Sequence, residues 1–288
     1  MTDAGRLAAA LLAVTAVAAG AGCNIGSKLG ADAARPVDRL VFGPHATRDD
    51  VVAHLNAKIE RLHGWRCHNA TIKTPQTPVS LKAKVSVKSP SGFRLRANSM
   101  LGDEADIGSN DERIWFWVRR SDRPAVYTVA HDRVADIGRR LELPFQSEWL
   151  MEVLGVVPID PQTVTLQTEP GDEENLLQLV STVRIPDGRD AMRLITVDRR
   201  NGYVISHQLY DARSHGVIAE AFLNDYRPDP SQGMALPHEI VLRWPEADQE
   251  MELKIGDVEI NPAGEPRSTW ELPRIASAPV VDLASAIR

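Results

Sequence analysis

The residues with the widest chemical reach in the first third of the chain are His54, His63, Cys67 and His68. Imidazole and thiolate are the usual ligands of zinc, but structural zinc sites draw four of them from short-spaced pairs. The run His63-Gly64-Trp65-Arg66-Cys67-His68 has no such spacing, and it lacks the first Cys of a haem attachment motif. On a strand, Cys67 and His68 would also face opposite ways. The histidines read as exposed helix-end groups and Cys67 as a small buried hydrophobe, so no metal ligand is assigned. Acidic side chains collect as Asp103-Glu104, Asp111-Glu112 and Asp172-Glu173-Glu174. All three fall in expected turns and read as solvated loops rather than catalytic pairs. No Gly-x-Ser-x-Gly elbow, phosphate loop, dinucleotide fingerprint or His-Glu-x-x-His is present. The sequence therefore assigns no catalytic residue and no cofactor, and the expectation is a protein that is not an enzyme.

Cys23 is different, because its neighbours give it a role. Leu7–Ala19 is an unbroken apolar or small stretch with a single Thr, followed by Gly20-Ala21-Gly22 and then the Cys. That stretch is too short for a bilayer span of about 20 residues and suits a secretory signal. A Cys directly after small residues resembles a bacterial lipobox, in which the thiol is diacylated and the Cys becomes the new first residue. The expectation is a signal peptide over 1–22, a lipidated Cys23 with a tether to 46, and a location in the cell envelope, anchored by lipid and facing the periplasm.

The chain has 288 residues, 43% hydrophobic and 25% charged, with 33 basic and 39 acidic side chains. The apolar share suffices for a packed core. The net charge of −6 argues against a nucleic-acid partner, which requires a dense basic face. Lys82, Lys84, Lys88, Arg94 and Arg96 do interleave with apolar residues to form a basic outer face on two strands. Ordinary solubility explains such a face, and contact with anionic headgroups or an acidic partner is the functional alternative.

The elements that must position any site are mainly strands. Thr47 caps a helix with Asp49 and Asp50 in its first turn, Val52, Leu55, Ile59 and Leu62 on one stripe, and Gly64 as the stop. The period then becomes two. Val79, Leu81, Ala83, Val85 and Val87 alternate with polar residues, as do Phe93, Leu95 and Ala97 after a Ser-Pro-Ser-Gly turn. Ile114–Val118 is apolar on both faces, so both must be covered. A short helix over Ser147–Leu154 precedes strands at 176–185, 191–197, 203–210, 218–226, 236–244 and 251–260, separated by turns such as Pro186-Asp187-Gly188. The count is ten or eleven antiparallel strands. Residues 47–272 form the domain, and 273–288 read as a loosely held tail. Too few helical residues exist to cover so large a sheet flat, so it must curl around them and leave an apolar cavity.

Residues 79–130 resemble the outer-membrane lipoprotein carriers of the LolA and LolB type. The resemblance rests on Leu81–Lys88 leading into Val87-Lys88-Ser89-Pro90, on Phe93-Arg94-Leu95, and on Gly108-Ser109-Asn110-Asp111-Glu112-Arg113-Ile114-Trp115-Phe116-Trp117-Val118. The preceding helix, Leu236-Pro237 and a late strand ending Ile260-Asn261 fit the same order. Where the soluble carriers have a basic residue before the Pro, this chain has Ser89. The resemblance implies an incomplete antiparallel barrel plugged by helices, holding acyl chains, with neither cofactor nor covalent chemistry. On that reading Leu81, Val85, Val87, Phe93, Leu95, Ile114, Phe116 and Val118 line the cavity, and Trp149, Leu150 and Leu154 form its lid. The partners expected are lipid or lipoprotein acyl chains and the membrane, in lipoprotein transport or sorting. The alternative is a non-transporting envelope interaction or stress-sensing protein on the same fold, with a protein partner.

Overall fold

A computed structural model of the chain describes residues 40–75, 79–141, 147–168, 175–229 and 231–286, without the side chains of 138–141 and 286. The signal segment, Cys23, most of the tether and Asp172-Glu173-Glu174 lie outside the described residues.

Helix α1 (Arg48–Ile59) begins at a reciprocal cap: the Thr47 hydroxyl accepts from the Asp50 backbone N–H, and the Asp50 carboxylate accepts from the Thr47 N–H. Such a cap contributes about 1 kcal/mol. The helix ends before Gly64, which opens the first strand instead of stopping the helix. A Cβ at Gly64 would strike the Val87 carbonyl, so glycine is set there by the close approach of the neighbouring strand.

The strands are β1 (Gly64–Lys73), β2 (Leu81–Lys88), β3 (Gly92–Ser99), β4 (Gly102–Ser109), β5 (Arg113–Val118) and β6 (Val126–Ala130). Helices α2 (Val134–Leu141) and α3 (Ser147–Val153) follow. Then come β7 (Thr165–Gln167), β8 (Leu176–Arg184), β9 (Asp190–Asp198), β10 (Tyr203–Asp211), β11 (Val217–Asp229), β12 (Met234–Trp244), β13 (Gln249–Lys254), β14 (Val258–Ile260), β15 (Val280–Asp282) and the short helix α4 (Leu283–Ala286). All join one sheet in the order β15-β6-β5-β4-β3-β2-β1-β13-β12-β11-β10-β9-β8-β7, with β14 also on β1. Every pairing is antiparallel except β15 on β6, and the two ends do not meet. The sheet is an unclosed half-barrel. The fifteen strands among the described residues exceed the ten or eleven expected because the short β7 and β15 carry little pattern and β14 is separate from β13. In addition, β4 contains Asp103-Glu104, which the sequence places in a turn.

Register fixes the faces. Val85 pairs with Leu95, Leu95 with Ile107, and Ile107 with Phe116. Val87, Phe93, Ser109 and Ile114 form the neighbouring row, and Ala97, Ala105 and Val118 the next. Trp149, Leu150, Val153 and Leu154 pack in one cluster with residues of β1–β3 and also of β10–β13. The sheet therefore bends around α3, and this apolar row is its concave face. Helix α1 covers the β8–β9 end through Val51, Val52 and Leu55 against Leu177, Leu179, Ile195 and Val197. Phe42 joins that cluster, so the packed chain starts several residues before the expected boundary at 47. Helices α2 and α4 cover Ile114, Phe116, Tyr127 and Val129.

The other face of β5 is covered by the C-terminal segment. Trp115, Trp117 and Val126 pack against Leu272, Ile275 and Ala278. Gly108 has no side chain because the Trp115 ring lies on it. Residues 273–286 are thus not a loose tail: Leu283 is buried, and Val280–Asp282 extends the sheet. The physical reason is that Trp115 and Trp117 need a cover on the convex side. Arg94 locks the cover down. Its Nε and Nη2 donate to the two Asp106 oxygens at 3.1 and 2.7 Å, and Nη1 donates to the carbonyls of Ser268, Thr269 and Glu271 at 2.6, 3.1 and 3.3 Å. Asp106 also accepts from Trp115 Nε1 at 3.2 Å. Arg94 therefore leaves the basic outer face expected from the alternation, whereas Lys82, Lys84, Lys88 and Arg96 stay exposed on it.

Candidate functional site

The concave face is filled over β1–β3 and open over β9–β12. Val85, Val87, Phe93, Leu95, Trp149 and Leu150 are all buried in the solid core, with Leu81 packed against it. Ile114 and Phe116 belong to the separate cluster beneath α2 and α4, and Val118 is half-buried in the same row. Of the residues expected to line a cavity, Leu154 alone borders the open space described next.

That space, about 100 Å³, lies between α1, the segment after α3 and strands β9–β12. Leu55 and Ile59 come from α1, Val153 from the end of α3, Leu154 and Pro158 from the segment after it, and Ile195, Val204, Leu223 and Leu236 from the strands. Near α1, Tyr203 and Tyr226 stack at 4.3 Å between ring centres, and Lys58 Nζ lies 5.0 Å over the Tyr203 ring. Lys58 also donates to the Gly202 carbonyl, and Tyr226 to that of Val204 at 2.7 Å. Burial lowers the Lys58 pKa and raises that of Tyr226.

Deeper in, the lining turns polar. Arg193 on β9 and His207 on β10 are inward-facing diagonal neighbours, since Arg193 pairs with Leu209 and His207 with Ile195. Glu152 reaches them from α3. Arg193 Nη1 donates to Glu152 Oε1 at 2.6 Å, and its Nε to the Ser181 hydroxyl at 2.9 Å. Glu152 Oε2 and His207 Nδ1 are buried without a hydrogen-bond partner among the described residues. Burial, then the Arg193 charge, drive the His207 pKa down to about 3, so the ring is neutral. Burial lifts the Glu152 carboxyl, against the opposing pull of Arg193. A second, wider cavity of about 490 Å³ lies beside α2 and α3, bordered by Trp149, Val183, Ile185 and Leu209. Glu152 and Arg193 line both cavities, so the ion pair stands between them.

The end of α3 is tied to the sheet at two points. Trp65 Nε1 donates to the Leu154 carbonyl at 3.2 Å, and the Ser89 hydroxyl to that of Val156 at 3.1 Å.

Sequence reasoning missed Glu152, Arg193 and His207, which converge from three elements with no local spacing. The available signal was an Arg and a His at inward positions among Ala191, Ile195, Val197 and Leu209. Cys67 is buried in the core, and His63 and His68 are exposed. Among the described residues no three His, Cys, Asp or Glu side chains are grouped to hold a metal ion, and no helix is long and apolar enough to cross a membrane.

No protein-family model matches the chain, and no curated protein does. Solved structures do. A Vibrio parahaemolyticus domain named for outer membrane lipoprotein sorting superposes with a TM-score of 0.51 at 8% identity, covering 79% of this chain and 97% of its own. A DUF1329 family protein from Desulfovibrio piger gives 0.49 at 9% identity, covering 78% and 95%. A LolA superfamily protein from Nitrosomonas europaea gives 0.47 at 12% identity, covering 78% and 98%. The first of these shows that the chain has the half-barrel fold of the lipoprotein-sorting domain.

Proposed function

We propose that this protein binds acyl chains of a lipid or lipoprotein on the concave face of its half-barrel, as an envelope protein held to a membrane through lipid on Cys23. The observation that carries the reading is the uneven filling of that face. Over β9–β12 it is left open and lined by Leu55, Ile59, Leu154, Ile195 and Leu223. Transfer of a chain into that space is driven by the apolar surface removed from water, at about 25 cal/mol per Å². As it stands the space holds a short length of chain. The shared fold with a domain named for lipoprotein sorting supports the same class of cargo.

The test is uptake of a fluorescent fatty acid by the full chain. Leu154→Asp puts a charge in the cavity wall and is expected to abolish uptake while far-ultraviolet circular dichroism stays unchanged. Equal uptake by a folded Leu154→Asp variant would remove the cavity from the account. Anchoring is tested separately: Cys23→Ala should lose metabolic labelling by palmitate and move the protein from the membrane to the soluble fraction. An unlabelled native chain would refute the anchor.

A further inference from the structure

The polar cluster between the two cavities narrows the ligand class, on the premise that the concave face binds lipid. A cavity for bare hydrocarbon gains nothing from an ion pair in its wall, because charges taken out of water are expensive unless every lone pair is met. Here two are not met: Glu152 Oε2 and His207 Nδ1 are buried, unpartnered among the described residues, and belong to side chains that border the cavity under α1. Their chemistry is specific. A carboxylate oxygen can only accept, whereas a neutral imidazole nitrogen donates or accepts according to tautomer.

Charge decides what can join them. Glu152 already balances the Arg193 guanidinium at 2.6 Å, and Arg193 spends its Nε on Ser181. An anionic head would place a second negative charge beside Glu152 in a site with little water. A cationic head would sit against Arg193. What remains is an uncharged group that both donates and accepts. A hydroxyl meets that need, because it can both donate to a carboxylate oxygen and accept from an imidazole N–H.

We infer that the Glu152–Arg193–His207 cluster is a recognition site for the hydroxyl of an uncharged, single-chain amphiphile of the monoacylglycerol class, whose hydrocarbon lies along the apolar walls. The polar group of such a ligand makes hydrogen bonds that the cluster's own residues leave unmade, and its chain covers Leu154, Ile195 and Leu223.

The experiment is calorimetric titration of the full chain with 1-monooleoylglycerol, methyl oleate and oleate, at a mildly alkaline pH where oleate is ionised. Monooleoylglycerol should bind about tenfold more tightly than methyl oleate, the ratio given by about 1.4 kcal/mol, within the range for one satisfied buried hydrogen bond. Oleate should bind more weakly than monooleoylglycerol. The double variant Glu152→Leu/Arg193→Leu keeps volume and removes both charges together, a change that buried pairs tolerate. It should show no preference for the glyceride over methyl oleate. Equal binding of glyceride and methyl ester by the native chain overturns the inference, and so does a preference for oleate. A preference that persists in the double variant overturns the assignment to this cluster. Failure of all three ligands to bind overturns the lipid-binding reading itself, and is distinguishable because no ratio then exists.

Discussion

Two ion pairs, one buried and one half-buried, sit on opposite faces of the same sheet, and they are built differently. Arg94 and Asp106, on the convex side, are both inside the protein, and their polar atoms are met by each other, by three backbone carbonyls and by Trp115. Arg193 and Glu152, on the concave side, are joined by one short bond, yet among the described residues Glu152 keeps an oxygen without a partner and His207, which lines the same cavity, keeps a nitrogen. The first pair is a finished joint that straps the C-terminal segment over Trp115. The second borders empty space on two sides. Satisfied polar groups in a core describe architecture, and unsatisfied ones facing a cavity describe a place for something else.

The contrast can be broken most forcefully on the convex side. Arg94→Met leaves Asp106 charged and buried and releases the three carbonyls, and should lower stability by about 3–5 kcal/mol in urea unfolding. Limited proteolysis of that variant should cut beyond residue 262 before the sheet is attacked. A loss no larger than that of a surface substitution would mean that the strap holds without its lock.

On the concave side the effect should be smaller, because Glu152 is the more exposed carboxylate of the two pairs, at 21% of its side chain against 10% for Asp106. Glu152→Leu should cost about 2 kcal/mol, and the Glu152→Leu/Arg193→Leu double variant should recover most of it. Additive losses in that cycle would show that the two side chains act independently.

His207 gives a third measurement through pH. Its ring titrates near about 3 in the folded protein, against about 6.5 in an unfolded chain. Between those values the unfolded state binds the extra proton, so stability is full above the unfolded value and is lost as pH falls through the window. Glu152 acts with the opposite sign, because its folded pKa is raised and acidification relieves its burial. In His207→Phe the loss of melting temperature on acidification should therefore shrink or reverse. An unchanged slope would place the acid sensitivity elsewhere.

The smallest effect calibrates the rest. Lys84 is exposed on the basic face, and Lys84→Ala should shift stability by less than about 0.5 kcal/mol.

Two faces were legible in the sequence, because a period of two sorts residues into two sets, but parity does not say which of them is concave. The rows of Leu81, Val85 and Val87, of Phe93 and Leu95, and of Ile114, Phe116 and Val118 do share one face. Parity cannot say which stretch of that face a helix will fill. Trp149 and Leu150 fill it over β1–β3, and the vacancy falls over strands whose inward residues include Arg193 and His207. Strand β4 was hidden for a related reason. Glu104 and Asp106 look like turn residues until Arg120 and Arg94, from other strands or turns, neutralise them. Partners supplied by tertiary structure carry no local signature, which is why a buried ion pair reads as a solvated loop in one dimension.

The parallel pairing of the last strand has a further consequence. A half-barrel that never closes offers a free border of amide and carbonyl groups at each end, and such borders recruit neighbouring molecules. Val280–Asp282 shields the border of β6 with the chain's own final residues. Removing residues 273–286 should therefore uncover the β6 border and favour stacking of copies, with the cavity over β9–β12 undisturbed.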